Sequence, residues 1–338
     1  MYTFDNKTVL VTGATGLIGS HIVDALMTLK NVKVIALSKT EKKLKQGFAN
    51  YISNPNFSFI AQDISYPLEL DDVDVDYIFH AAGPMEGKII ANCPVDVITP
   101  NLIGTQNCLE FLKNQKESSK IDGRFVMFSS VTVYGNMTDH DIIVNEGDTK
   151  ISDILEAGNA SYSQSKRMAE VIVQAYRKQY GVNAVIARLS TVYGNTRFKP
   201  DTAFFEFLHK SIIGDNIYMN SSNAARRDNI YIDDAVEGIL TVCLRGEDGQ
   251  AYNISSNGEM ENFAAVDEIA AIMADVANKK FGRKPEERID VFYKNGKSND
   301  RNAGIILDNK KLKSLGWTLK NSIVEGIRKT IEEAVDNG

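Results

Sequence analysis

The 338-residue sequence predicts an α/β fold, a doubly wound parallel sheet with a smaller C-terminal lobe. Three observations predict it. Short apolar runs alternate with amphipathic helical stretches through residues 1–193. A turn with regularly spaced glycines joins the first run to the first helix, and the alternation loosens after Tyr193.

The expected strands are residues 7–12, 32–37, 57–61, 77–80, 124–129 and 183–189. Amphipathic stretches at 17–30, 97–116 and 159–180 lie among them. Short buried strands separated by helices imply βαβ units covered on both faces. Beyond residue 193, short strands at 217–219, 230–232 and 251–254 mix with helices at 202–213, 233–244 and 264–278. Residues 1–193 therefore read as one doubly wound region, which the glycine turn analysed below makes the dinucleotide-binding part. Residues 194–338 read mainly as the substrate-binding lobe, interleaved with the sheet. The lysine-rich segment 39–45 reads as a solvated helix face, with Lys39 the exception taken up below.

Composition narrows the function. Apolar residues make up 43% and charged residues 24%, enough for a large core without metal or disulfide staples. The net charge of −6 argues against a nucleic-acid partner. No apolar run reaches the ~18 residues of a membrane span. The strand pattern starts almost at Met1, so no signal peptide is expected. Cys93, Cys108 and Cys243 form no CxxC, which suits a reducing, cytoplasmic setting. His21, His80, His140 and His209 match no metal-ligand spacing, so no metal is expected.

The glycine turn reads Gly13-Ala14-Thr15-Gly16-Leu17-Ile18-Gly19. Its spacing is GxxGxxG, which meets the same demands as GxGxxG. Gly13 serves the tight turn, Gly16 the approach of a pyrophosphate, and Gly19 close helix–sheet packing. The helix N-terminus then offers N–H donors to phosphate. An acid at the end of the second strand would bind the ribose 2′-hydroxyl of NAD, and a basic neighbour would suit the 2′-phosphate of NADP. The sequence there is Leu37-Ser38-Lys39, without an acid, so NADP is favoured and NAD is the alternative.

Tyr162-Ser163-Gln164-Ser165-Lys166 puts Tyr162 and Lys166 one helical turn apart. An ammonium beside a phenol favours the phenolate, so such a tyrosine can exchange protons with a substrate hydroxyl. Thirteen tyrosines and 26 lysines make about one such pair expected by chance, and a second exists at Tyr293 and Lys297. That pair spans Asn295-Gly296, a turn signal, and lies outside the βαβ region. The helical context of residues 159–180, following Ser129-Ser130, favours Tyr162.

Ordered along the chain, these motifs resemble the extended short-chain dehydrogenase/reductases of the nucleotide-sugar epimerase/dehydratase branch, which are Rossmann proteins. The matching residues are Gly13 to Gly19, Asp63-Ile64, His80-Ala81-Ala82-Gly83, Asn101 with Gly104-Thr105, and the run from Ser129 to Gly135. Tyr162/Lys166, Arg188 with Val192-Tyr193-Gly194, Arg227-Asp228 with Asp233-Asp234, and Leu315-Gly316-Trp317 complete the set. The resemblance implies that Asp63 holds the adenine and that Ile64, Ala81, Ala82, Gly83 and Asn101 line the cofactor. It also implies that Ser130 assists Tyr162 and that Lys166 binds the nicotinamide ribose. Arg227 would grip a substrate diphosphate, with Arg301 as a second contact, and bidentate arginine forks suit that dianion. A homodimer through residues 97–116 and 159–180 is likewise implied.

Departures from the family pattern refine the expectation. Related dehydratases carry an Asp-Glu pair after the Ser/Thr, and decarboxylases carry a Glu, where this chain has Val131 and Thr132. The Ser-x-Thr-Val-Tyr-Gly form resembles the 4-epimerases, with Thr132 facing the sugar. Ser190-Thr191 stands where many relatives place a substrate-contacting Asn. The leading expectation is thus a nucleotide-sugar 4-epimerase. The alternatives are an NADPH-dependent 4-keto nucleotide-sugar reductase, then a dehydratase, then a non-catalytic dinucleotide-binding protein.

Overall fold

The computed structural model describes residues 3–70, 73–135, 140–148, 158–220, 225–296 and 303–336. Its central sheet has seven parallel strands. They are β1 (Thr8–Thr12), β2 (Lys33–Ser38), β3 (Phe57–Ala61), β4 (Tyr77–His80), β5 (Arg124–Ser130), β6 (Asn183–Leu189) and β7 (Ala251–Ile254). Their spatial order is β7-β6-β5-β4-β1-β2-β3. The chain winds outward from β1 through β2 and β3, then returns to place β4 on the other side of β1. That reversal opens a crevice at the carboxyl ends of β1 and β4, where ligands of such sheets bind.

Side-chain alternation divides the apolar residues between two cores. Val9, Val11, Val34, Ala36, Phe79 and Val126 face one side with Ile22 and Leu26 of helix Leu17–Met27. Leu10, Ile35, Leu37, Ile78, Phe125 and Met127 face the other with Leu109, Leu112, Ala169 and Val173. Every residue of β4 and β5 is buried, as helices on both faces require.

Two elements depart from the sequence reading. Residues 251–254, expected among the lobe's short strands, form β7 and pair with β6 in the register Ala251↔Ile186 to Ile254↔Leu189. The preceding helix, Ile232–Arg245, is the crossover that returns the chain to the sheet. The single helix expected at 97–116 is instead Pro94–Thr99, a π-helical turn at Pro100–Gly104, and Thr105–Ser118. Pro100 has no N–H to donate, and the turn widens there, leaving Asn101 buried.

The lobe beside the sheet's carboxyl edge contains helices Ala203–Ile213, Val266–Lys280 and Ile323–Asp336. A three-stranded sheet joins Thr191–Tyr193, Arg227–Tyr231 and Phe263–Ala264. Strands Ile142–Val144 and Ile305–Leu307 pair in parallel nearby. The first-face core runs without a break into this lobe through Tyr193, Ile230, Ile269 and Ile327. No helix among the described residues is long and apolar enough to cross a membrane.

Candidate active site

The glycine turn lies against the exit of β4. Gly13 has φ +63°, and a Cβ there would stand 2.6 Å from the Ala82 nitrogen. A Cβ on Gly19 would run into the Gly13 carbonyl oxygen. Glycine is therefore required at both positions. Gly16 donates its N–H to the Gly13 carbonyl at 3.0 Å and caps helix Leu17–Met27 without a side-chain cap. The first turn thus keeps its N–H groups for an anion. Leu17 and Ile18 anchor that turn in the core.

The loop also ties to the end of β2. Ala14 N donates to the Leu37 carbonyl at 3.1 Å, and the Thr15 and Ser38 hydroxyls share a 2.8 Å hydrogen bond. Lys39 is 71% exposed at its side chain and pairs with Asp63 at 2.9 Å. Partial burial raises the Asp63 carboxyl, but Lys39 and Ser65 outweigh it and hold the group below its ordinary value. Ile64 is buried beneath Gly104.

Ala81 N and Ala82 N donate to the carbonyl and hydroxyl of Thr12, at 3.3 and 3.4 Å. Gly83 then takes φ +155°, and a Cβ there would stand 2.9 Å from Asn101 Oδ1 and 3.9 Å from Lys166 Nζ. Gly83 therefore brings the glycine-turn half of the site up against the Tyr162/Lys166 half. Asn101 Nδ2 donates to Ser165 Oγ at 2.9 Å, while its buried Oδ1 accepts no hydrogen bond among the described residues. A glycine-lined crevice at the strand-order reversal, with a free buried acceptor beside it, fits a nicotinamide dinucleotide.

Tyr162 and Lys166 are buried on helix Ala160–Tyr180. The Tyr162 phenol hydrogen-bonds Ser130, the last residue of β5. Lys166 Nζ donates to the Phe128 carbonyl at 2.9 Å and lies 5.9 Å from the Tyr162 ring centroid. Burial pushes Lys166 down to about 8, against the opposing pull of Glu170. Burial likewise raises the Tyr162 phenol, and the Ser130 hydrogen bond offsets only part of that rise. The lowering expected from the Tyr/Lys spacing is not found: burial raises the phenol, and the group that opposes the rise is Ser130, not Lys166. Thr132 sits on the 3₁₀ turn Val131–Tyr134, its buried hydroxyl without a partner among the described residues.

The proposed diphosphate contacts stand apart from this cluster. Arg227 opens the strand Arg227–Tyr231 with an exposed side chain. No hydrogen bond among the described residues joins it to Tyr162, Lys166 or Ser130. Arg226 is held by Glu268 at 2.8 Å, which leaves Arg227 as the better placed of the two for a ligand. Beneath it, Asp228 accepts from Ser256 and from Leu307 N at 3.0 Å, tying this strand to Ile305–Leu307. Arg301 lies outside the described residues, as does Lys297. Tyr293 ends a short strand that pairs in parallel with Ile217–Met219, not a helix.

One group went unassigned in the sequence reading. Glu170 and Arg188 form a buried bidentate ion pair beside the Tyr162/Lys166 pair. An arginine inside the apolar strand Asn183–Leu189 was its available signal, because a buried guanidinium requires a partner.

Comparison with known proteins gives a consistent picture. Residues 9–255 match the family described as the NAD dependent epimerase/dehydratase family. The trifunctional UDP-glucose 4,6-dehydratase/UDP-4-keto-6-deoxy-D-glucose 3,5-epimerase/UDP-4-keto-L-rhamnose-reductase of Arabidopsis thaliana is 30% identical over 350 residues. That alignment covers 99% of this chain and 48% of the plant protein, so the chain spans about half its length. The dTDP-glucose 4,6-dehydratase of Neisseria gonorrhoeae is 27% identical over 348 residues, covering 100% of this chain and 98% of its own. The UDP-glucuronic acid 4-epimerase of Bacillus cereus, solved with NAD, has the same fold at a TM-score of 0.73 and 24% identity. It covers 98% of this chain and 99% of its own. Because the family match runs through the whole central sheet, from β1 to β7, the protein belongs to the NAD dependent epimerase/dehydratase family of extended short-chain dehydrogenase/reductases.

Proposed function

We propose that the protein is a nucleotide-sugar 4-epimerase. One observation carries this reading. Beside the hydrogen-bonded Ser130–Tyr162 pair stands the unpartnered hydroxyl of Thr132, where a dehydratase needs acids. The nearby carboxylate of Glu170 is committed to Arg188 and Ser129. Among the described residues, the site thus has groups to move one proton at a sugar hydroxyl, and no free acid beside them to expel water.

In this reading Tyr162 takes the proton of the C4 hydroxyl and later returns it. Ser130 hydrogen-bonds the same oxygen, and the Lys166 ammonium favours the phenolate. A bound nicotinamide dinucleotide supplies the hydride acceptor and donor. Asn101 Oδ1, Gly83 and Lys166 would line its nicotinamide end, and the Gly13–Gly19 backbone its pyrophosphate. Arg227, with Arg301, holds the substrate diphosphate while the 4-keto sugar presents its other face. Thr132 orients the sugar.

A second reading, an NADPH-dependent 4-keto nucleotide-sugar reductase, is favoured by Ser38 and Lys39, which leave the end of β2 without an acid. For either reaction we infer that NADP is bound in preference to NAD. A homodimer through residues 97–116 and 159–180 is supported by the exposed side chains of Ile103, Met168 and Val171. Cys93, Cys108 and Cys243 are all free thiols, which suits a cytoplasmic location.

Incubation with a panel of UDP-, dTDP- and GDP-sugars tests the assignment. An isomer of unchanged mass without net cofactor change supports the epimerase. Loss of one water refutes it, and stoichiometric NADPH oxidation selects the reductase.

A further inference from the structure

Three consecutive residues of β5 each meet one residue of helix Ala160–Tyr180. The Phe128 carbonyl accepts from Lys166, the Ser129 hydroxyl donates to Glu170 Oε1 at 2.6 Å, and Ser130 hydrogen-bonds Tyr162. Tyr162, Lys166 and Glu170 are four residues apart and share one helical face. Glu170 is the one member of this ladder that the proton chemistry above does not use.

Glu170 and Arg188 are only 7% and 8% exposed. Arg188 Nε donates to Oε1 at 2.9 Å and Nη2 to Oε2 at 2.8 Å. Its Nη1 donates to the Tyr134 hydroxyl at 3.1 Å and the Glu146 carbonyl at 3.0 Å. Tyr134, fully buried, donates in turn to Asn253 Oδ1 at 2.7 Å. A buried ion pair contributes little to stability compared with apolar residues of similar volume, because both charges leave water. What this pair does achieve is geometry. It ties the helix bearing Tyr162 and Lys166 to β5, to β6 and to the turn that presents Thr132.

We propose that Glu170 is a positioning residue for the Tyr162/Lys166 proton chemistry, its carboxylate locking the helix in register with β5 and standing one helical turn from Lys166. The proposal rests on the roles assigned to Tyr162 and Lys166 above. The titratable groups around Lys166 are Tyr162 and Glu170 on its own helix and His80 on β4; Arg188, on β6, faces Glu170. Burial, with Lys166 adding to it, keeps His80 neutral by pushing it down to about 3. Glu170 is the group that opposes the fall of Lys166 on burial.

The test is the titration of Lys166 itself, followed by carbon NMR of lysine labelled at Cε. The resonance is assigned by its loss in Lys166→Met. The wild-type midpoint is expected at about 8. Glu170→Gln is expected to lower it by about one unit, and Glu170→Asp to restore most of the difference. Glu170→Gln leaves Arg188 without its counter-charge, so Glu170→Gln/Arg188→Met provides a background that removes both charges. Its midpoint is expected below wild type as well, since Glu170 is one turn from Lys166 and Arg188 lies beyond it. An unmoved midpoint in a folded variant overturns the proposal, whatever happens to thermal stability. On any nucleotide sugar the wild type converts, Glu170→Gln should lose about tenfold in kcat with little change in KM. A wild type that converts none counts against the proposed function alone, because the titration does not depend on turnover.

Discussion

The Lys39 ammonium lies 2.9 Å from the Asp63 carboxylate, pairing the chain just beyond β2 with the chain just beyond β3. Both residues border the place where the adenosine of a dinucleotide is expected. A 2′-phosphate must therefore share Lys39 with Asp63, and the pair is exposed and screened. NADP is expected to bind only about tenfold tighter than NAD, a difference of about 1.4 kcal/mol. Ser38→Asp should reverse the order, because a carboxylate accepts from ribose hydroxyls and repels a phosphate. Titrating both cofactors into both proteins decides the matter. Tighter NAD binding by the wild type would reduce Lys39 to a partner of Asp63.

Arg227→Ala should raise KM for the nucleotide sugar and leave cofactor affinity unchanged. A charged hydrogen-bonded contact of this kind contributes about 1.5–3 kcal/mol, hence roughly a ten- to hundredfold effect. Arg226→Ala should do far less, since Arg226 is committed to Glu268. Equal affinity of Arg227→Ala and wild type for the free nucleoside diphosphate would remove Arg227 from the site.

His80 links acid stability to the cofactor crevice. It hydrogen-bonds Thr12 Oγ1 at 2.8 Å, and burial pushes it down to about 3. The unfolded chain takes up this proton near its ordinary ~6.5, and the native state does not. His80 therefore lends stability that is fully present above about pH 6.5 and lost as the pH falls towards about 3. The expected slope is about 1.4 kcal/mol per pH unit for the one proton. Urea unfolding of wild type and His80→Gln across this range measures it. Parallel pH profiles in the two proteins would show that His80 is not the group responsible.

Tyr162→Phe should lower turnover by about 10²–10⁴-fold while cofactor binding persists, because the phenol is the acid–base group placed on Ser130 among the described residues. Tyr293→Phe, on a short strand paired with Ile217–Met219 and not on the helix of Tyr162, should behave as wild type. Stopped turnover with intact dinucleotide titration is the expected pattern; normal turnover in Tyr162→Phe would exclude its assigned role.

The sheet was legible because burial on both faces leaves nearly continuous apolar runs such as Tyr77–His80, and the site because Gly13 and Gly19 have no substitute where backbone meets backbone. What stayed hidden depends on contacts distant in sequence. Ala251–Ile254 is four residues long and becomes the seventh strand only through pairing with β6. The widened turn at Pro100–Gly104 buries Asn101 in a stretch whose periodicity reads as one helix. Glu170 and Arg188, 18 residues apart, look like an ordinary helix acid and a strand-end base until the fold buries them together.

The central claim, reversible hydride removal and return at one sugar carbon, is tested most directly with a nucleotide sugar carrying deuterium at C4. The wild-type protein is incubated with it in ordinary water, and the product is analysed by NMR and mass spectrometry. An epimerised product that keeps both its mass and its deuterium at C4 is the predicted result. A product that has lost water, or whose deuterium has left C4, would contradict the account.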